Sequence, residues 1–281
     1  MSEREMEVRR AAAPEDIARA TTDELRARFL VQGIFPADRA RLVYSHIDRL
    51  ILGGAMPVHE AVELGDGSAI GTPFLLSARE MGIANLGGPA RVTVDGQTFE
   101  LARRDVLYVG RGSRVIGLES RDPTAPAKLY LNSCAAQQTY PCRLIRLDEA
   151  KPLTMGDPAR ANLRTLRMYI HPEVAPSALL LMGITDPAPG SIWNTMPCHV
   201  HERRMEAYLY FDMGPDERVF HFMGRPGATR HLVVGNDESV ISPSWSIHMG
   251  AGTGPYAFVW GMTGENQEYN DVDPVALADM R

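Results

Sequence analysis

From residue 42 onward the chain runs in short apolar stretches broken by Gly, Pro and polar turn residues, a texture of strands rather than helices. The strongest single signal is Val92-Thr93-Val94-Asp95-Gly96-Gln97-Thr98-Phe99-Glu100-Leu101. Two alternating runs flank Asp95-Gly96, and a type I′ hairpin turn needs the positive φ that such a pair accepts. Stretches 44–52, 74–76, 82–86, 105–109 and 115–119 read as further strands, with Gly110-Arg111-Gly112 turning a corner. Residues 135–167 are mixed and contain Lys151-Pro152 and Gly156-Asp157-Pro158, which places a domain boundary there. Strand texture returns at 179–184, 218–223, 231–234, 240–242 and 256–262. So many short strands predict an all-β chain, with an antiparallel sandwich or barrel on each side of the boundary.

The N-terminal stretch breaks this pattern. Thr21-Thr22-Asp23-Glu24 has the form of a capping box, and Leu25, Phe29 and Leu30 then share one helical face. The expected organisation is a helical segment over 1–40, a first barrel over 41–150 and a second barrel over 151–281. The helical segment reads as a lid or interface element without chemistry of its own.

Composition narrows the class. The chain has 281 residues, 44% hydrophobic and 23% charged, as expected of a soluble globular protein. A formal net charge of -6 speaks against a nucleic-acid binder, which normally presents a basic face. A small anionic substrate remains possible, because one or two local arginines suffice for it. Cys134, Cys142 and Cys198 form an odd set without zinc-finger spacing, so free thiols in a reducing cytosol are expected. The charged start Met1-Ser2-Glu3-Arg4-Glu5 is unlike a signal peptide, and no apolar run reaches membrane-spanning length.

The chemistry concentrates in Pro197-Cys198-His199-Val200-His201-Glu202-Arg203-Arg204-Met205-Glu206. Residues two apart on a strand face the same way, so His199 and His201 pair. Glu202-Arg203-Arg204 reads as a turn, after which Glu206 can return to the same face at the head of an aromatic-rich strand, 207–211. A third imidazole, His248, follows the run Ile241-Ser242-Pro243-Ser244-Trp245-Ser246-Ile247. Three neutral imidazoles and one carboxylate suit a zinc, iron, manganese or nickel ion. Cys198 points to the opposite face and reads as a core residue. The segment 105–114 parallels 238–246, with Arg114 near the place where the second half carries His248. The first half has no His-x-His, so only the second barrel is expected to hold metal. His46 and His59 read as structural or solvent-facing, and His221 and His231 as core histidines.

The pattern resembles the cupin superfamily, whose first motif has the form H-x-H-x(3,4)-E-x(6)-G. His199, His201 and Glu206 match it, and Gly214 falls one residue late. Gly235, Pro243 and His248 match the second motif, while Trp245 and Gly252 stand where glycine and asparagine are usual. Longer words, including Trp193-Asn194-Thr195-Met196-Pro197, Trp260-Gly261-Met262, Val43-Tyr44-Ser45-His46-Ile47-Asp48-Arg49 and Asp105-Val106-Leu107-Tyr108-Val109-Gly110, resemble the 5-keto-4-deoxyuronate isomerase family. That resemblance implies a bicupin of two jelly-roll barrels, one zinc ion per chain in the second barrel, and a homohexamer. It also implies a ketol isomerisation of 5-dehydro-4-deoxy-D-glucuronate to 3-deoxy-D-glycero-2,5-hexodiulosonate in pectin and uronate breakdown. A divalent ion can act as Lewis acid in this reaction and a carboxylate or imidazole can move the proton. Glu202 is the nearest acid in sequence and the candidate for proton transfer. Arg204 and Arg164 are the candidates for the substrate carboxylate, since a guanidinium matches it in plane. The competing readings are another metallo-cupin enzyme, such as an iron-dependent dioxygenase, and a non-catalytic sugar-binding bicupin.

Overall fold

The computed structural model describes residues 6–281, so the charged run at residues 1–5 lies outside the described residues. Two compact units emerge, and both are sandwiches of one seven-stranded and one four-stranded sheet. The first comprises the described residues up to Arg9, Gly33–Lys151 and Tyr169–Leu181; the second comprises Arg10–Gln32, Pro152–Met168 and Met182–Arg281.

In the first unit the large sheet runs in the order Glu7–Arg9, Ala40–Ser45, Ile51–Ala55, Leu129–Ala135, Arg79–Asn85, Val106–Val109, Arg143–Ile145. The small sheet is Val62–Leu64, Ile116–Ser120, Ala90–Val94, Gln97–Leu101, antiparallel throughout. The Asp95-Gly96 turn has φ of 47° and 87°, the conformation expected for a type I′ hairpin. Inward-facing Ile51, Met81, Ile83, Val92, Leu107, Val109, Leu118, Leu129 and Leu131 fill the space between the two sheets. This interior is apolar, and period-two alternation puts it there.

The second unit repeats the plan. Its large sheet is Lys151–Met155, Arg164–Ile170, Leu181–Pro187, Ala257–Gly264, Arg204–Phe211, Glu238–Ser242, Leu30–Val31. Its small sheet is Trp193–Asn194, Met249–Gly252, Val219–Arg225, Ala228–Val234. At Gly183 a Cβ would meet the Trp260 ring at 2.2 Å, so only glycine lets that indole lie across the strand.

Several expectations change in detail. The stretch 44–52 is two strands, because Asp48 and Arg49 take positive φ (43° and 56°) and turn the chain between them. Residues 74–76 form a turn, not a strand, though Leu75 and Leu76 are buried. The 1–40 segment is not one helical element. Glu7–Arg9 adds a parallel strand beside Ala40–Ser45, while residues 10–32 belong to the second unit. There, helix Thr22–Phe29 starts with the expected capping box, Thr21 accepting from the Glu24 amide and Glu24 accepting from the Thr21 amide. Leu30–Val31 then leaves the helix to pair with Val240 and Ser239. None of the three cysteines forms a disulfide, and no helix among the described residues is long and apolar enough to cross a membrane.

Candidate metal centre

Arg204–Phe211 is the strand on which the site is built. The expected turn is shorter than anticipated: only Glu202 and Arg203 turn, and Arg204 already pairs with Gly264. Alternation then sends Arg204, Glu206, Tyr208 and Tyr210 to one face and Met205, Ala207, Leu209 and Phe211 to the other. Opposite Glu206 lie Ser242 and Met262, and opposite Tyr208 lie Val240 and Trp260.

His199 opens a two-residue strand, His199–Val200, and His201 follows just outside it. Their rings stack at 4.7 Å with 10° between planes, as side chains two apart on extended backbone should. His248 arrives differently. Strand Glu238–Ser242 ends at Pro243, the Ser246 amide donates to the Pro243 carbonyl at 3.0 Å, and the returning chain sets His248 edge-on to both other rings.

The donor atoms converge. His199 Nε2 lies 2.7 Å from His201 Nε2 and 3.0 Å from His248 Nε2; Glu206 Oε2 lies 3.1 Å from His248 Nε2 and 3.7 Å from His201 Nε2. All four donors lie within 4.8 Å of one another, and His201, Glu206 and His248 are buried. Four ligands about 2.0–2.1 Å from a tetrahedral ion stand about 3.3 Å apart, close to the observed spacings. His248 Nδ1 lies 3.4 Å from the Ser246 carbonyl, and donation there leaves the Nε2 lone pair facing the cluster. Burial first, then the neighbouring His248, Arg204 and Arg164, pushes His199 down to about 2. Burial likewise holds His201 far below the ordinary imidazole range. Neutral imidazoles with inward lone pairs beside a carboxylate fit a divalent cation.

Around this cluster the interior stays polar. Arg204 is 1% exposed; its Nη2 donates to the Asp271 carbonyl at 2.9 Å, while Nε and Nη1 have no partner among the described residues. Burial lowers the Arg204 guanidinium from its ordinary value, against Glu206 and Asp271, which raise it. Arg164 is also buried, with Nη1 donating to the Asn162 carbonyl at 2.9 Å. The Tyr208 hydroxyl lies 3.3 Å from Thr195 Oγ1, and the Tyr210 hydroxyl lies 2.8 Å from His221 Nδ1. His221 is fully buried and its Nε2 has no partner among the described residues; burial pushes it down to about 3. Tyr269 is pushed up to about 12, first by burial and then by Glu206.

The four expected ligands therefore come together. Glu202 does not join them: it is exposed on the turn, because alternation and the turn geometry carry it outward. Cys198 packs with Ile247 and Met249 on the side opposite His199, as a core residue. His46 is half-buried beside the Tyr44 ring, and His59 is exposed. His231, expected in the core, is exposed on strand Ala228–Val234, whose inward positions are Leu232 and Val234. Tyr210 and Tyr269 escaped sequence reasoning as site residues, although the period-two run Arg204-Glu206-Tyr208-Tyr210 signals a polar inner face.

Comparison with known proteins agrees with this geometry. An IolB-like protein from Salmonella typhimurium LT2 superposes with a TM-score of 0.68 at 15% identity, over 80% of this chain and 87% of that one. Bacillus subtilis oxalate decarboxylase, a protein with Mn(II) centres, gives 0.56 at 12% identity, over 80% of this chain and 71% of its own. Both likenesses are of fold, a bicupin built of two antiparallel jelly-roll barrels. The 4-deoxy-L-threo-5-hexosulose-uronate ketol-isomerases of Yersinia pseudotuberculosis and Yersinia pestis are 50% identical over 278 residues, 98% of this chain and 100% of theirs. Residues 29–278 match the KduI/IolB family, and the chain belongs to it.

Proposed function

We propose that the chain is a metal-dependent ketol isomerase acting on 4-deoxy-L-threo-5-hexosulose-uronate, the compound for which its 50%-identical relatives are named. The observation that carries the reading is the convergence of His199, His201, Glu206 and His248 within 4.8 Å in a polar barrel. The substrate has an aldehyde beside a hydroxyl-bearing carbon at one end and a carboxylate at the other. Isomerisation removes the proton from carbon 2, forms an enediolate across carbons 1 and 2, and returns a proton to carbon 1. The hydroxyl proton on oxygen 2 passes to oxygen 1, so the product is a 2-ketose with no change in composition. A divalent ion held by the four ligands supplies Lewis acidity for the charge that develops on those oxygens.

The remaining roles fall to the chain's own groups. Arg204 and Arg164 bind the carboxylate, Arg204 through Nε and Nη1, which have no partner among the described residues. Glu202 is poorly placed for proton transfer, since it faces solvent. His221 suits the role better by position: it lies in the polar interior beside Tyr208, and with Nδ1 donating to Tyr210 its Nε2 carries the lone pair. The family resemblance supports zinc as the ion, one per chain, and a homohexamer. The three cysteines without disulfides support a reducing, cytosolic setting.

An assay following loss of the uronate aldehyde, with and without chelator, tests this reading. Chelation should abolish turnover and one equivalent of zinc should restore it. Oxygen consumption without isomerisation would instead favour a dioxygenase, and metal-independent turnover would overturn the metal role.

A further inference from the structure

We propose that the C-terminal segment, residues 265–281, is a working part of the metal centre that sets the position of His199 and of Arg204. The inference rests on the reading of the cluster as a divalent-metal site. The ligand-bearing stretch is held at both ends by the barrel. Asn162 Nδ2 donates to the Met196 carbonyl at 2.8 Å, and the His201 amide donates to the Ser244 carbonyl at 3.2 Å. His199 lies between these ties, on a strand of two residues, and its ladder partner is the tail: His199 pairs with Pro274 and Val200 with Asp273. The Val275 amide donates to the Cys198 carbonyl at 3.0 Å, which closes the ladder on the other side of His199.

The side chains repeat the arrangement. Alternation sends Cys198 and Val200 away from the cluster, and Val275 and Met280 from the tail pack there with Ile247 and Met249. Cys198 Sγ lies 3.5 Å from Met280 Sδ. Upstream, the Glu265 amide donates to the Arg203 carbonyl at 2.9 Å, and the Asp271 carboxylate accepts from Arg203 Nε and Nη2 at 3.1 and 2.9 Å. The Asp271 carbonyl accepts from Arg204 Nη2 at 2.9 Å, on a guanidinium whose Nε and Nη1 have no partner among the described residues. At the far end the Arg281 amide donates to the Pro226 carbonyl at 2.9 Å, while its carbonyl accepts from the Thr229 amide and hydroxyl at 2.7 Å. The tail thus grips the turn, the ligand strand and a hairpin of the small sheet. Most of its side chains are exposed, so few apolar contacts hold it and local detachment is cheap compared with unfolding.

The consequence is asymmetric. Releasing the tail frees His199 but leaves His201, Glu206 and His248 on their own supports, so metal binding weakens without vanishing. Loss of ligand positioning typically costs about 10–100-fold in metal affinity.

The experiment uses the full chain and zinc(II) alone, with affinity read by chelator competition. Val275→Asp with Met280→Asp puts carboxylates into the apolar cluster, while Leu277→Asp puts one on the same tail at a side chain 56% exposed and outside that cluster. The double variant should show protease-sensitive cleavage within the tail and a zinc dissociation constant raised about 10–100-fold, with the melting of the metal-free barrel unchanged. Leu277→Asp should match wild type in all three. Should the double variant fail to fold, Val275→Ala should give a smaller rise in the same direction. A cleavable tail with wild-type zinc affinity would overturn the proposal, and so would a tail that stays protected in every variant. Zinc affinity is read without substrate, so failure of the isomerase reading would show separately as a wild-type protein that binds zinc and does not turn over.

Discussion

Strands Arg79–Asn85 and Arg204–Phe211 occupy the same fifth place in their seven-stranded sheets, and their inward faces match position by position. Met81, opposite Val109, corresponds to Glu206, opposite Ser242. Ile83, between Leu107 and Leu131, corresponds to Tyr208, between Val240 and Trp260. Arg79 corresponds to Arg204, and here the contrast is sharpest. Arg79 spends its donors on its own chain, Nη2 on the carbonyls of Arg49 and Ser133 and Nε on Ser133 Oγ. Arg204 keeps Nε and Nη1 without partners among the described residues. Buried polar groups left unpaired cost stability unless something else satisfies them. The same backbone therefore supports a dry core in one half and a ligand-shaped polar interior in the other.

The largest break in the comparison should come from Glu206→Gln, which keeps the shape but removes the only anion among the four ligands. The purified wild-type protein should carry about one divalent ion per chain, held in the second half alone. The variant should lose most of that metal, and its isomerase rate should fall by at least about a hundredfold, or about 2.7 kcal/mol. Its melting temperature in the presence of metal should drop toward the metal-free value. Wild-type metal content in folded Glu206→Gln would refute the four-ligand site, and two tightly bound ions per wild-type chain would refute a metal-free first half.

In the first half, at the place that matches Tyr208, the effect should reverse in kind. Ile83→Ala removes core methyl groups at 0% exposure, so unfolding free energy should fall by about 2–4 kcal/mol with metal content unchanged. Denaturant titration and elemental analysis on the same preparation check both statements. Metal loss accompanying a modest destabilisation would mean that the two interiors are not independent in function.

A single arginine tests the contrast between Arg79 and Arg204. Arg204→Lys retains charge but loses the planar fork, so KM for the uronate should rise about tenfold while kcat changes less. An aldehyde substrate without the carboxylate should show no such change. An unchanged KM would return Arg204 to a purely structural role.

Much of this was legible in advance because it depends on local rules. Alternation paired His199 with His201, and it assigned Cys198 to the opposite face before any contact was known. The Asp95-Gly96 hairpin and the Thr21 capping box were readable because each is decided within a few residues. What escaped needed distant partners. The tail's place beside His199 depends on pairing across more than seventy residues, and nothing in Asp273-Pro274 announces a strand. The strand expected over 44–52 was misread because Ile47 and Leu50 mimic its hydrophobicity while Asp48 and Arg49 turn the chain. His231 was misplaced because a histidine on an alternating strand carries no mark of which face is inward; Leu232 and Val234 took that face.

The smallest expected effect concerns His221, whose position in the polar interior has a signature in acid. Its folded value, near 3, lies below the roughly 6.5 of an unfolded imidazole. Between those two values the unfolded chain binds a proton that the folded chain does not, so acidification favours unfolding. The group contributes no pH dependence above about 6.5 and costs at most about 1.4 kcal/mol per unit as the pH falls below it. Between pH 7 and 6 that amounts to less than about 1 kcal/mol, measurable by thermal melting of the metal-free protein. His221→Gln should therefore be less stable at neutral pH, having lost the fit to Tyr210, yet lose stability more slowly on acidification. His199 and His201 are also depressed by burial, so the slope should shrink without disappearing. Identical slopes in wild type and variant would mean that His221 takes up its proton inside the folded barrel. Such a group would be a stronger base than one held near 3 and would fit the proposed proton transfer better.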